Sequence, residues 1–249
     1  MRPYYSDGSV TLYHGDMREI IPALNLAADC IVTDPPYGET SLTWDRWPDG
    51  WPSVAATSSR SMWCFGSMRM FMEQRDQLGL WQMSQDVVWE KHNGSGFAAD
   101  RFKRVHEHAV HFYLGRWAET YHETPRELGG VGNKSVRKRG ATPHTGVIGN
   151  AGYVDDGKRL VRSVIYCPSM QQKAIHPTEK PVGIIAPLIE YACPPGGTVL
   201  DFFAGSGSTG DAARLIGRKA VLVEASEQFC EAIAKRLSQG TLPMVGGVA

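Results

Sequence analysis

Residues 198–224 constrain the fold of this 249-residue chain more than any other stretch. An apolar strand pattern is followed by the glycine-rich stretch 204–210, a helix pattern to Leu215 and a second strand that ends at Glu224. Glycine lets a backbone approach a ligand closely, and a helix N-terminus offers free N–H groups. A carboxylate at the end of the next strand can accept hydrogen bonds from ribose hydroxyls. This segment therefore predicts a pocket for a nucleoside-containing cofactor.

Strand and helix patterns alternate along most of the chain. Strands are predicted at 9–13, 29–33, 61–65, 86–90, 108–114, 198–203 and 220–223. Helices are predicted at 17–24, 67–78, 178–193 and 227–237, and a further helix follows the glycine-rich loop and ends at Leu215. This order indicates an α/β fold, with a parallel-rich sheet covered by helices on both faces. Residues 115–170 are rich in glycine, threonine and charge, so we predict a loop-rich insertion within a single domain over 1–249.

Composition excludes several classes of protein. The five cysteines are scattered and never form a Cys-x-x-Cys pair, which argues against zinc and disulfides and favours a reducing cytoplasm. The residues His106, Glu107 and His108 lack a third ligand on one face, so we predict a packed strand and no metal there. No apolar run is long enough to span a bilayer, and residues 1–5 lack the apolar stretch of a secretory signal.

The glycine-rich loop leaves two cofactors open. Gly205, Gly207 and Gly210 satisfy the G-x-G-x-x-G dinucleotide pattern, so a nicotinamide-dependent oxidoreductase is one alternative. Asp201, just before the loop, is poorly suited to a pyrophosphate and well suited to a cationic ligand. The amino group and sulfonium of S-adenosylmethionine are such a ligand, and we favour this cofactor.

A second motif follows the predicted strand 29–33 and consists of Asp34, Pro35, Pro36 and Tyr37. We call these four residues the tetrad. Ligand sites of open α/β sheets lie at the carboxyl ends of strands, where this motif is expected. The prolines stiffen the loop, so that the Asp34 carboxylate and the Pro35 carbonyl are preorganised as two acceptors for an amino group. Tyr37 offers an aromatic face for a base taken out of its stack.

Together these motifs resemble the β-class amino DNA methyltransferases. In that family the tetrad precedes the cofactor loop, and the target-recognition region lies between them, as the insertion does here. The segments 13–16, 89–91, 107–108 and 176–181 also resemble motifs of the family. The resemblance implies a Rossmann-like, circularly permuted, seven-stranded mixed sheet and methyl transfer from S-adenosylmethionine to a base flipped out of double-stranded DNA. Homodimers are common in the family, so we expect one.

The resemblance also implies residue roles. Asp16 lies near the cofactor adenine and Glu224 at its ribose. The methionine end and its surroundings are formed by Thr178, Lys180, Asp201, Phe203, Ala204, Gly205, Ser206, Gly207 and Ser208. The tetrad faces the target base. Family members whose tetrad begins with aspartate mostly modify N6 of adenine, whereas those for N4 of cytosine more often begin with serine. Asp34 therefore favours adenine, with N4-cytosine as the alternative.

Net charge is zero, from 26 Lys and Arg against 26 Asp and Glu, but the charges are unevenly distributed. We expect contacts with DNA phosphates from the basic stretch of the insertion, which contains Arg126, Lys134, Arg137, Lys138 and Arg139. A solvated loop is the alternative. Trp44, Trp47 and Trp51 form either a cover over a flipped base or a small apolar plug. A DNA-binding module that has lost its activity is a further alternative for the whole chain.

Overall fold

The computed structural model describes residues 1–95, 99–128, 157–170 and 176–239. They form two compact units, one of residues 1–123 with 163–249 and one of residues 124–162. The strands are β1 (Tyr5–Ser6), β2 (Val10–His14), β3 (Cys30–Thr33), β4 (Ser61–Gly66), β5 (Gln82–Ser95), β6 (Arg104–Tyr113), β7 (Arg126–Leu128), β8 (Lys158–Leu160), β9 (Val164–Tyr166), β10 (Thr198–Asp201) and β11 (Lys219–Glu224). The helices are α1 (Met17–Leu24), α2 (Trp51–Ala55), α3 (Met68–Glu73), α4 (Val182–Ala192), α5 (Ser208–Leu215) and α6 (Glu227–Ser238), with a 3₁₀ turn at Trp117–Glu119.

The larger unit is built on one mixed sheet with the strand order β1-β2-β11-β10-β3-β4-β6-β5-β9. The strands from β2 to β4 are mutually parallel, whereas β6 runs antiparallel to both β4 and β5. The seven strands from β2 to β5 in this order form the expected sheet. The two-residue β1 and the three-residue β9 extend its edges. The predicted fold class is confirmed.

Two apolar clusters lie on opposite faces of this sheet. Successive side chains of a strand point to opposite faces, and β4 shows this alternation. Trp63 and Phe65 pack in the cluster that holds the buried residues of α4, α5 and α6. Met62 and Cys64 pack in the cluster that holds those of α1, α2 and α3. Helices therefore cover both faces, as the sequence predicts.

Two element boundaries differ from the prediction in ways that shape the site. The helix predicted at 178–193 begins only at Val182, with Pro181 as its N-cap. A proline disfavours the helical region for the residue before it, so the helix does not reach back over Lys180, and Thr178 lies in a turn. The strands predicted at 86–90 and 108–114 are longer than expected, because β5 and β6 form a hairpin that pairs as far as Ser95 and Arg104.

The smaller unit consists, in its described part, of the antiparallel pair β7 and β8. It lies within the region 115–170 for which we predict an insertion. Val164–Tyr166 falls in the same predicted range, but it is a strand of the larger unit and pairs with β5. Among the described residues, no helix combines the length and the apolar character needed to span a membrane.

Candidate active site

Both predicted motifs lie at one edge of the sheet. The tetrad follows β3, the glycine-rich loop follows β10, and Glu224 ends β11. Because β10 lies between β3 and β11 and all three are parallel, their carboxyl ends lie side by side. One cavity of about 1160 Å³ is lined by Asp34 and Tyr37 on one side and by Gly205 and Glu224 on the other. The sheet thus joins two motifs that are far apart in sequence.

The glycine-rich loop needs glycine at two positions. Gly205 has φ +53° and Gly207 has φ +77°, in the left-handed region where a side chain causes strain. A Cβ on Gly207 would lie 2.8 Å from Cγ2 of Ile233, and one on Gly205 would lie 3.5 Å from the ring of His176. Gly205 lines the cavity, whereas Gly207, also predicted at the cofactor, is not among the lining residues and packs against α6.

Asp201, the last residue of β10, stabilises this loop through hydrogen bonds of its carboxylate. Its Oδ1 accepts hydrogen bonds from the Thr33 hydroxyl at 2.9 Å and the Phe203 N–H at 3.2 Å, and its Oδ2 accepts one from the Thr209 hydroxyl at 2.6 Å. Burial raises the pKa of Asp201 to about 6, although these hydrogen bonds act to lower it. A cationic group in the adjoining cavity would favour the ionised form.

Glu224 and Asp16 are two further acidic residues of the cavity. Glu224 Oε2 accepts a hydrogen bond from Gly205 N–H at 2.8 Å, and Oε1 accepts one from Ser226 N–H at 2.9 Å. Asp16 caps helix α1 by accepting a hydrogen bond from Arg18 N–H at 2.8 Å. Both acidic residues line the cavity, as the predicted adenosine site requires.

The remaining loop residues mainly hold its shape. The hydroxyls of Ser206 and Ser208 lie 2.8 Å apart, and the Ser208 hydroxyl donates to Glu179 at 3.5 Å. Glu179 in turn forms an ion pair of 2.8 Å with Arg236 of α6. Two further predicted residues, Ala204 and Phe203, also line the cavity; the Ala204 N–H donates to the Val223 carbonyl at 3.0 Å, and the Phe203 ring lies edge-on to Trp51 at 5.7 Å.

The tetrad is held by a residue that the sequence analysis did not identify. The buried Asp45 carboxylate accepts hydrogen bonds from the N–H groups of Tyr37, Gly38 and Thr40, at 2.8, 2.9 and 2.8 Å. Burial acts to raise the pKa of Asp45, but these donors outweigh it and the pKa is lowered. Asp45 therefore stays ionised and fixes the loop after the tetrad. An aspartate eight residues past a motif carries no recognisable signal in sequence.

Asp34 itself has one oxygen engaged and one free. Its Oδ2 forms an ion pair with Lys180 Nζ. Its Oδ1 is buried and has no hydrogen-bond partner among the described residues. Burial raises the pKa of Asp34, and Lys180 only partly offsets this. A buried acceptor without a partner is costly unless a ligand supplies the donor.

Lys180 belongs to a buried chain of alternating charges that the sequence analysis also missed. Lys180 Nζ lies 3.3 Å from Glu107 Oε2, and Glu107 Oε1 forms an ion pair with Lys91. Burial alone would lower the pKa of Lys180, but Asp34 and Glu107 raise it well above its ordinary value. Burial would raise the pKa of Glu107, but the two lysines lower it to about 2. Lys180 and Glu107 therefore both stay ionised, and Lys180 lies against the tetrad.

The three tryptophans have separate places. Trp51, the first residue of α2, is fully buried, and the Trp47 ring lies 5.5 Å from it, so these two are part of an apolar plug. Trp44 is 41% exposed and lines the cavity, with its ring 5.2 Å from that of His176. Of the three, Trp44 is the one placed to cover a ligand.

Of the predicted DNA-contacting residues, Arg126 is exposed on β7. Lys134, Arg137, Lys138 and Arg139 lie outside the described residues. Within the described part of the chain, no group of three or more His, Cys, Asp or Glu is arranged to hold a metal ion. Thr178, expected near the cofactor, lines the cavity, and its hydroxyl lies 3.1 Å from His176 Nδ1.

The sequence model of the N6/N4 DNA methylase family matches residues 28–236. This match includes the tetrad, the glycine-rich loop and Glu224, and the chain belongs to this family of DNA methylases. The membership excludes the nicotinamide-dependent oxidoreductase that the glycine pattern left open. The predicted family is confirmed. Membership of this family does not distinguish adenine from cytosine as the target base.

Individual relatives agree with this assignment. The YubD protein of Escherichia coli (strain K12), which is named as a methylase, is 47% identical over 74 residues, which are 30% of this chain and 33% of YubD. The matched segment thus spans about a third of that relative. The M1.HpyAVI–SAM complex has a TM-score of 0.64 at 23% identity, covering 91% of this chain and 99% of that one. The PvuII cytosine-N4-specific DNA methyltransferase has a TM-score of 0.62 at 15% identity, covering 94% and 88%. This chain has the same fold as these two structures.

Proposed function

We propose that this protein transfers a methyl group from S-adenosylmethionine to N6 of an adenine in double-stranded DNA. The observation that carries the proposal is the Asp34 carboxylate at the cavity, with Oδ2 bound to Lys180 and a buried Oδ1 that has no partner among the described residues. An exocyclic amino group supplies the N–H donor that this oxygen lacks.

The other half of the cavity fits S-adenosylmethionine. The open backbone at Gly205 admits close approach of a ligand, and three carboxylates, those of Asp16, Asp201 and Glu224, line the same cavity. Carboxylates suit ribose hydroxyls, an ammonium and a sulfonium, and they repel a pyrophosphate. We assign Glu224 to the ribose, Asp16 to the adenine side and Asp201 to the methionine end. When bound, this cofactor supplies an electrophilic methyl group.

The tetrad prepares the nucleophile. The lone pair of an exocyclic amino group is delocalised into the base, so the nitrogen must pyramidalise before it can form a bond. Asp34 Oδ1 accepts one N–H of this group and the Pro35 carbonyl accepts the other, which favours that geometry. The ring of Tyr37 packs on the extruded base. As the nitrogen–carbon bond forms and the carbon–sulfur bond breaks, the surplus proton passes to Asp34 or to water.

Lys180 and Glu107 act as positioning residues. Lys180 holds Asp34 Oδ2, which leaves Oδ1 to accept the amino group, and Glu107 holds the lysine. The raised pKa of Asp34 makes this carboxylate a better proton acceptor than a solvent-exposed aspartate. Lys180, expected at the cofactor, is therefore assigned to the tetrad.

The adenine target rests on aspartate as the first residue of the tetrad, and the alternative is N4 of cytosine. The experiment incubates the protein and S-adenosylmethionine with unmodified DNA and maps the modified bases by sequencing. The proposal expects N6-methyladenine within one recurring sequence. Modified cytosine would overturn the adenine target, and DNA without any modified base would favour an inactive binding module.

We expect Gly205→Trp to abolish binding of S-adenosylmethionine, because the indole would fill the space between the loop and His176. Calorimetric titration of the folded variant measures this. Gly196→Ala is the matched control, since Gly196 also has a positive φ of +75° but no described atom within 4 Å of its Cβ position. Unaltered affinity of Gly205→Trp would contradict the cofactor assignment.

We also propose that the insertion at 115–170 is the target-recognition region and that its basic stretch contacts phosphates. Replacing Lys134, Arg137, Lys138 and Arg139 by alanine should then weaken DNA binding and flatten its salt dependence. The slope of log K against log salt should fall by roughly 0.9 for each phosphate that the variant no longer neutralises. Arg75→Ala is the control, since Arg75 is 86% exposed on the larger unit. An unchanged slope in the quadruple variant would contradict this proposal. A homodimer stays a prediction.

A further inference from the structure

The β5–β6 hairpin forms part of the rim of the cavity. Its two strands pair as far as Ser95 and Arg104, and Asn93, Gly94 and Arg104 line the cavity. Arg104 Nη1 also forms an ion pair of 3.0 Å with Glu39, two residues after the tetrad. The end of the hairpin is thereby tied to the loop that holds Tyr37.

Phe102 lies just beyond this rim and is 101% exposed, the highest value among the large apolar side chains of the described residues. It precedes Arg104 by two residues, so the two Cα atoms are at most about 7 Å apart. A phenyl ring gains from contact with apolar or aromatic surface, and at this exposure Phe102 finds none in the part of the chain that the structure describes. The Phe102 ring can therefore be buried only by a binding partner at the mouth of the cavity.

The surroundings of Phe102 indicate a polyanion. The segment 100–104 contains Arg101, Lys103 and Arg104 against Asp100 alone. Arg101 is paired with Asp100 at 2.7 Å, but its side chain is still 73% exposed. Cations that bind phosphates beside a free aromatic ring are the combination with which proteins bind nucleic acid and wedge between its bases.

We propose that Phe102 inserts into double-stranded DNA beside the target base and stacks on the neighbouring bases, while Arg101 and Lys103 contact the phosphates. The inference rests on the proposed function and deepens it. Removing a base from a duplex leaves its neighbours without a stacking partner, and a ring in the gap replaces that contact. Phe102 is then a residue that keeps the duplex open, and it takes no part in methyl transfer itself.

The test compares two duplexes that carry the methylated sequence, one with the target adenine paired with thymine and one with it opposite an abasic site. Extrusion of an unpaired base costs less, so the wedge matters less there. We expect Phe102→Ala to lower kcat/KM on the paired duplex by about tenfold to a hundredfold, as for loss of a base–aromatic stack. On the abasic duplex the loss should stay below about threefold.

Two variants serve as controls. Phe102→Trp keeps an aromatic wedge and should retain activity on both duplexes, whereas Met72→Ala removes another exposed apolar side chain that does not line the cavity. Equal losses for Phe102→Ala on both duplexes, or none on either, overturn the wedge. If the wild-type protein methylates neither duplex, the proposed function itself has failed, so the two failures are distinguishable.

Discussion

Asp34→Asn is expected to lower the rate of methyl transfer by about 10²–10⁴-fold, the range typical for loss of a positioned acid–base or charge-stabilising group. The amide has no negative charge for Lys180, and it can turn its NH₂ group toward the incoming amino group. Binding of S-adenosylmethionine should stay close to that of the wild type, because we assign the cofactor to Asp16, Asp201 and Glu224, which line the cavity. Single-turnover transfer and calorimetric titration measure the two effects separately.

The control for this variant is Asp76→Asn, which removes a carboxylate that is 98% exposed and outside the cavity. It should behave as the wild type in both measurements. If Asp34→Asn instead loses cofactor affinity and transfer in equal proportion, Asp34 belongs to the cofactor site and the assignment of the tetrad is wrong.

The second large effect concerns the charged chain behind the tetrad. Lys180→Met leaves the Asp34 and Glu107 carboxylates buried without their shared cation. Breaking a buried ion pair in this way costs about 3–5 kcal/mol, so we expect the free energy of unfolding to fall by that amount. Methyl transfer should fall as well, because Asp34 Oδ2 loses the group that orients it. Denaturant unfolding and single-turnover rates test both.

The pH dependence separates a positioning role from a structural one. Asp34 must be ionised to accept the amino hydrogen, so its pKa sets an acidic limb, below which transfer is lost. Glu107 raises this pKa and Lys180 lowers it. Glu107→Gln should therefore move the acidic limb to lower pH, and Lys180→Met should move it to higher pH. Lys180→Arg, which keeps the charge, should leave it near its wild-type position. Shifts of Glu107→Gln and Lys180→Met in the same direction would contradict the network.

Part of the site could be predicted because it is local in sequence. The glycine-rich loop contains Gly205 and Gly207 next to the strand and helix that it joins, and the tetrad lies within four residues after β3. Their order along the chain then indicated the family and the fold class. The helix predicted at 17–24 agrees with α1, and the structure shows that Asp16 is its N-cap.

The residues that hold Asp34 could not be predicted, because their contacts are long-range. Lys180 is 146 residues from Asp34 in the chain, and Glu107 is placed beside both by the antiparallel strand β6. In sequence Glu107 lies between two histidines and is typical of a packed strand. Only the strand order of the folded sheet, with β4 between β3 and β6, explains why these charges meet.

The most direct test of the central claim is a single-turnover reaction with methyl-labelled S-adenosylmethionine and unmodified duplex DNA, followed by analysis of the nucleosides. The wild-type protein should place the label on N6-methyladenine, and Asp34→Asn, which retains cofactor binding, should leave the DNA unlabelled on the same time scale. Equal labelling by both proteins would contradict the role of the tetrad. A wild-type protein that binds the cofactor and DNA without labelling any base would contradict the proposed activity.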